Sequence, residues 1–233
     1  DPYTSYYDAK VVRDFVALTQ KLGFKPIILP FKPNGKAMHI KGFLARFSKT
    51  AKTQAEFLNR VAKLNVPLVG VDSAIVLSYR DEYKEALGDS RGDFHVLTAH
   101  EWLTNQLESN ALQSAVKNIA KSDRTFEWHL FPHCTESTFM PNSPKEWQHI
   151  FAQFGQALNV EKVGCCGMAG VFGHEVQNQT MSKDIYDVSW GKKLQGKDPN
   201  HCLATGYSCR SQVKRYEKAI LKHPVQALLE ILN

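Results

Sequence analysis

The stretch Val160-Glu161-Lys162-Val163-Gly164-Cys165-Cys166-Gly167 decides how the rest of the chain is read. Residues 160–163 read as a strand that runs into a tight turn. In an extended chain, neighbouring side chains point to opposite sides, so two adjacent thiols converge only where the backbone bends sharply. Gly164 and Gly167 bracket the doublet and supply the freedom for that bend. The other cysteines are Cys134, Cys202 and Cys209, and all five lie in the second half of the chain. Thiols gathered in this way point to soft-metal or redox chemistry.

Working outward, 233 residues are enough for one large domain or two small ones, each with a core. The 43% hydrophobic and 22% charged content is that of a soluble globular chain. No apolar run approaches the roughly 20 residues needed to cross a bilayer, so no membrane span is expected. The chain opens Asp1-Pro2-Tyr3-Thr4, without Met or a basic leader, which reads as a fragment of a longer protein. The net charge of +6 is spread thinly, so solvated helix faces rather than nucleic-acid binding are expected. An odd number of cysteines with one adjacent pair makes a poor disulfide framework. A reducing, cytoplasmic setting is expected, either free or peripheral to the inner membrane face.

Apolar spacing predicts a helix over 8–22 stopped by Gly23, then a buried strand over 25–29. A helix over 54–64, a strand over 67–71, a helix over 74–87, a strand over 95–98 and a helix over 101–107 follow. The second half opens with a strand over 124–131. Ser143, Pro144 and Glu146 read as cap, first turn and capping-box partner of a helix over 143–158. Helix over 177–194, strand over 201–205, a helix capped by Ser208 and running to 221, and a last helix over 224–232 complete the series. Strands alternating with helices imply an α/β fold with parallel strands. The order also repeats. Residues 6–29 match 139–163, and Pro33-Asn34-Gly35 falls where Cys165-Cys166-Gly167 falls. Two similar lobes, residues 1–110 and 125–233, related by internal duplication and a pseudo-twofold axis, are expected.

In these motifs the chain resembles the cysteine-rich CCG domains found in heterodisulfide reductase and in the anaerobic glycerol-3-phosphate dehydrogenase. That family repeats a first-loop Cys, a Cys-Cys-Gly turn and a closing Cys-x-x-Cys. Cys134 in His133-Cys134-Thr135 matches the first loop, Cys165-Cys166-Gly167 the turn, and Cys209 the last closing Cys. Gly206 stands where the first closing Cys is expected, and Cys202 lies four residues earlier. The first repeat carries Asp1, Pro33-Asn34, Asp72 and Ile75 at the corresponding places, so it resembles a scaffold without thiols. Gly164-Cys165-Cys166-Gly167-Met168-Ala169-Gly170, Phe172-Gly173-His174-Glu175 and Ala204-Thr205-Gly206-Tyr207-Ser208-Cys209-Arg210-Ser211-Gln212 look like the C-terminus of large bacterial FAD-linked oxidases. The resemblance implies a D-2-hydroxy acid substrate, such as D-2-hydroxyglutarate or D-lactate, for the whole protein. It implies flavin and ferredoxin-type domains on the same polypeptide as partners, with an electron acceptor beyond them. The 233 residues hold no G-x-G-x-x-G and no P-loop, so FAD is expected only outside them, and turnover by this chain alone is not expected.

Cys134, Cys165, Cys166 and Cys209 are enough for a tetrahedral zinc or a [4Fe-4S] cluster. Three of them follow strands, where parallel α/β sheets place their sites, and Cys209 opens a helix whose dipole favours a thiolate. The alternative is that they are small buried hydrophobes. Cys202 sits in a strand pattern and reads as core, with ligation open. His133 reads as a ligand, a donor to one, or a polar loop residue. His174 and Glu175 read as ligand, proton donor or surface. Arg210 reads equally as a neighbour tuning Cys209 or as a surface cation. Met168, Phe172, Tyr186 and Trp190 read as packing residues. The functional expectation is an electron-transfer module; the alternative is a structural or interaction domain with zinc or vestigial thiols. A thiol-disulfide enzyme at Cys165-Cys166 is disfavoured by the strained ring such a disulfide closes.

Overall fold

The computed structural model describes residues 3–109, 111–112 and 126–233. Asp1, residues 124–125 of the expected strand, and positions 110 and 125 at the lobe ends lie outside the described residues.

The first half runs α1 (Ala9–Lys21), α2 (Lys36–Ile40), α3 (Leu44–Ala62), β1 (Leu68–Gly70), α4 (Ser73–Arg80), α5 (Glu82–Leu87), β2 (Val96–Thr98) and α6 (Ala99–Glu108). The second runs β3 (Glu127–Phe131), α7 (Cys134–Phe139), α8 (Ser143–Gln153), β4 (Ala157–Val160), α9 (Gln179–Tyr186), α10 (Lys192–Leu194), β5 (Cys202–Ala204), α11 (Tyr207–Tyr216) and α12 (Pro224–Ile231). Two small parallel sheets result, flanked by helices. In one, β1 pairs with β2, Gly70 opposite Thr98. In the other the order is β4-β3-β5, with Trp128 opposite Leu158 and Leu130 opposite Leu203. The α/β class with parallel strands is therefore present.

Several boundaries differ from expectation, each for a local reason. No strand forms over 25–29, where Ile27 and Ile28 are exposed. The helix expected over 143–158 ends at Gln153, because Gly155 adopts φ +69 and turns the chain into β4. Its cap is Asn142; Ser143 instead donates its hydroxyl to Glu136. Residues 161–163 lie beyond the end of β4. Asp81 breaks the segment 74–87 into two helices, and α3 starts ten residues before the expected helix over 54–64. The segment from Ser208 starts from Gly206 and stops at Tyr216, shortly before Lys218 with φ +56. Gly23 terminates α1 as read, with φ +90.

The largest apolar core takes residues from both halves: Phe15 and Leu18 of α1, Trp102 of α6, Trp128 and Leu130 of β3, Phe151 of α8 and Leu228 of α12. A second core, formed by Phe131, Tyr186, Trp190, Ala204 and Val213, lies beneath the cysteine turn and takes in Cys166, Cys202 and Cys209. A third closes over α3 and the two-stranded sheet.

His223, 1% exposed, ties the halves together. Its Nδ1 accepts from the Val225 amide at 3.2 Å as the cap of α12, so its proton sits on Nε2 and is donated to the Val71 carbonyl. Burial, with the nearby Arg210 and His100, holds its pKa well below the ordinary 6.5. In the unfolded chain it takes up a proton near that value, which the folded chain refuses. Its contribution is therefore complete above about pH 6.5 and is lost as pH falls toward the lower folded value. His223→Asn retains a capping oxygen without a titrating ring. The urea midpoint should fall between about pH 7 and about pH 5 in the parent and fall less in the variant. Equal falls would show that His223 contributes nothing to acid sensitivity.

Candidate metal centre

The site is built on a bend in the chain after β4. Gly167 and Gly170 adopt φ +83 and +69, and Ala169 between them +40. A web of side chains holds the bend from outside. Ser189 accepts the Gly164 amide at 2.7 Å, and Trp190 Nε1 donates to the Gly164 carbonyl at 3.1 Å. Ser182 donates to the Gly167 carbonyl at 2.7 Å, and Gln212 donates to the Cys166 carbonyl at 3.0 Å. Arg215 donates to the Gly173 carbonyl. With these backbone groups satisfied by the scaffold, the turn presents its thiols in one arrangement.

Cys134, Cys165, Cys166 and Cys209 come together at this turn. The thiols of Cys134 and Cys166 both act on Cys165 as neighbouring donors, and Cys209 acts in turn on Cys166. The Gly167 amide donates to Cys165 Sγ at 3.3 Å, and the Ala169 amide also reaches that sulfur. These four donors, the two thiols first, hold the Cys165 thiol far below its ordinary pKa despite burial. Donating to Cys165 pushes Cys134 and Cys166 upward, and burial adds to it. No three His, Cys, Asp or Glu groups among the described residues are disposed to hold one metal ion.

Cys202 stands apart. It is fully buried in β5 within the second core, and burial pushes its thiol up to about 11. His133 caps α7: its Nδ1 accepts from the Thr135 amide at 3.2 Å. Nε2 therefore carries the proton and donates it to Ser208 Oγ at 3.2 Å. Ser208 in turn lies 4.0 Å from Cys209 Sγ. Held in this tautomer, His133 offers a donor, not a lone pair, toward the closing loop. Its ring also accounts for Gly206, where a Cβ would lie 2.3 Å from His133 Cδ2. His174 is exposed; partial burial and the Arg215 charge lower its pKa. Glu175 pairs with Lys41 of the first half. Arg210 is buried, donating to Asp8 at 2.5 Å and to the Ala204 carbonyl at 2.7 Å.

A cavity of about 240 Å³ opens beside the turn. Ala169, Gly170, His133 and Ser208 line it from the second half; Ile40 and Asp72 line it from the first. Asp72 Oδ1 accepts the Ile75 amide at 3.2 Å and Oδ2 the Tyr207 amide at 3.0 Å, joining the N-termini of α4 and α11. Sequence reasoning misses Ser182, Gln212, Arg215 and the bridging role of Asp72. Only the run Arg210-Ser211-Gln212, quoted as a motif, points toward one of them.

Comparison with known proteins agrees with a redox setting. The chain is 82% identical over its whole length to a D-2-hydroxyglutarate dehydrogenase of Haemophilus influenzae, and 58% identical to one of Escherichia coli. It spans 23% and 22% of those proteins, about a fifth of their length. Over 99% of its length it is also 21% identical to a subunit of the anaerobic glycerol-3-phosphate dehydrogenase of Escherichia coli, covering 57% of that protein. No family model and no solved structure matches. The chain is thus similar to part of larger oxidoreductases.

The packing of His133 on Gly206 has a direct test. Gly206 has φ −91, which any residue adopts, so only space forbids a side chain there. The ring is pinned by hydrogen bonds at both nitrogens. Gly206→Ala should therefore destabilise by about 1–3 kcal/mol, and His133→Ala should relieve much of that in the double variant. Strictly additive effects in denaturant unfolding would refute the contact.

Proposed function

We propose that this chain is the electron-transfer module of a longer FAD-linked oxidoreductase. Cys134, Cys165, Cys166 and Cys209 would hold an iron-sulfur cluster in it. The meeting of these four thiols at a turn whose amides donate to Cys165 Sγ carries the reading. The donor set fits the group in kind, since thiolates are the usual ligands of iron-sulfur clusters. The names of the long relatives support D-2-hydroxyglutarate as the substrate of the whole protein. Flavin and ferredoxin-type domains on the same polypeptide would then deliver the electrons. A reducing compartment, cytoplasmic as the cysteine usage implies, suits free thiols of this kind. No helix among the described residues is long and apolar enough to cross a membrane.

When bound, the cluster supplies one-electron transfer. The chain's own residues do the rest. The Gly167 and Ala169 amides stabilise negative charge on Cys165 before any cation arrives. Cys134 and Cys166 release protons on ligation, so loading is favoured as pH rises. Buried Cys166 and Cys209 set the site against the second core, where exclusion of water limits the reorganisation that accompanies a change of charge.

A second reading is a structural or interaction domain with zinc or vestigial thiols; its vestigial form is favoured by the finding that no preformed three-ligand group is present among the described residues. Anaerobic reconstitution with ferrous iron and sulfide separates the two. The chain should turn brown. Cys166→Ser should lose most of the iron, and Cys202→Ser should keep it. A colourless protein, or undiminished iron in Cys166→Ser, would overturn the iron-sulfur reading. The chain alone should not oxidise D-2-hydroxyglutarate with an artificial acceptor, and turnover would contradict its role as a module.

A further inference from the structure

In the segment Lys25-Pro26-Ile27-Ile28-Leu29-Pro30-Phe31, residues 25–29 read as a buried strand, yet they form none. Leu29 packs on the third core, while Ile27 and Ile28 are 81% and 65% exposed. Neighbours on an extended chain face opposite ways, so a surface strand ordinarily buries one of such a pair. Leaving each isoleucine in water forgoes about 1.5–3 kcal/mol of burial. Among the described residues, 25–33 make no backbone-to-backbone hydrogen bond. Apart from Pro26, Pro30 and Pro33, which have no N–H, the segment thus offers amides and carbonyls unpaired with other backbone, together with apolar side chains.

The surroundings extend this surface. Tyr6 sets its ring against Phe31 at 5.5 Å, and Tyr6 and Tyr7 are 72% and 73% exposed. Of the fifteen large apolar side chains exposed among the described residues, eight lie between positions 6 and 44, and the Tyr6–Phe31 contact joins the first of them to the segment 25–33. The patch reaches the cavity beside the cysteine turn. The Tyr7 ring lies 6.3 Å from that of Tyr207, which lines the cavity beside the turn, and Ile40 is the neighbour a Cβ at Gly170 would meet.

The geometry points to a docking surface, formed by residues 25–33 with Tyr6, Tyr7 and Ile40, that the remainder of a longer polypeptide covers. The inference rests on the proposed role of the chain as a module. The relatives indicate the occupant. The chain aligns along its entire length with 23% and 22% of two dehydrogenases, so most of each lies outside the matched part. An extended apolar segment of that remainder, pairing with 25–33, would satisfy the free backbone and cover both isoleucines in one step. It would also bring the electron-donating part against the cavity beside the cysteine turn.

Hydrogen exchange on the full-length polypeptide that carries this chain tests the inference. Amides within 25–33 should exchange about tenfold or more slowly compared with the 233-residue chain alone. Ile27→Asp with Ile28→Asp in the full-length polypeptide should restore fast exchange there, leaving iron content and circular dichroism unchanged. Fast exchange in the full-length parent overturns the proposal. So does protection of the chain alone that grows with its concentration, which assigns the patch to a second copy. Protection gained only with anionic phosphatidylglycerol vesicles assigns it to a membrane and overturns it equally. If the iron-sulfur reading is what fails, iron is absent while protection persists, so the two failures are told apart.

Discussion

Everything at the thiol site depends on the absence of a side chain at position 167. A Cβ there would lie 2.1 Å from the Ser182 carbonyl oxygen, and the backbone adopts φ +83. Both facts demand glycine, and the first cannot be relieved by a rotamer change because the obstacle is main chain. With the glycine in place the turn closes onto α9, and Ser182 and Gln212 reach its carbonyls. Cys165 and Cys166 then face Cys134 and Cys209. A larger residue would lift the turn from the helix and separate the pairs that share their protons.

The first half, which has no cysteine, is nonetheless built into that arrangement. Asp8 receives buried Arg210, one residue after Cys209. The Val71 carbonyl receives His223, and Lys41 pairs with Glu175 beyond the turn. Asp72 bridges two helix N-termini, where partial positive charge from unpaired amides favours a carboxylate. Its position is where the resemblance sets a closing cysteine of the first repeat. A carboxylate there does by hydrogen bonding what a shared metal centre does by ligation: it fixes α4 relative to α11.

How much of this was legible follows from the range of each interaction. The alternation of helices and strands and the stop at Gly23 are local signals, and they are legible in the sequence. The false strand over 25–29 is physically instructive, because an apolar run between prolines looks the same whether its partner is present or lies elsewhere. The merged helix over 143–158 failed at Gly155, a single residue whose positive φ ends one element and begins the next. Ser208 has the chemistry of a cap, yet Gly206 takes the position because the His133 ring leaves no room for a side chain. That exclusion joins residues far apart in the chain, and no spacing rule within one sequence carries it.

Protonation links the site to its proposed role. Four thiols in a poorly hydrated pocket cannot all ionise, since each thiolate raises the cost of the next. The fold answers by concentrating donors on Cys165 and leaving the neighbouring thiols to donate toward it. Negative charge is thereby favoured at Cys165, and ligation through the other thiols displaces their protons. The segment 25–33 shows the opposite design at the surface, with apolar side chains and free backbone groups left for a partner to complete. A proposed centre whose ligands all come from this chain, beside a surface left for a partner to complete, fits the proposed role of a module within a larger protein.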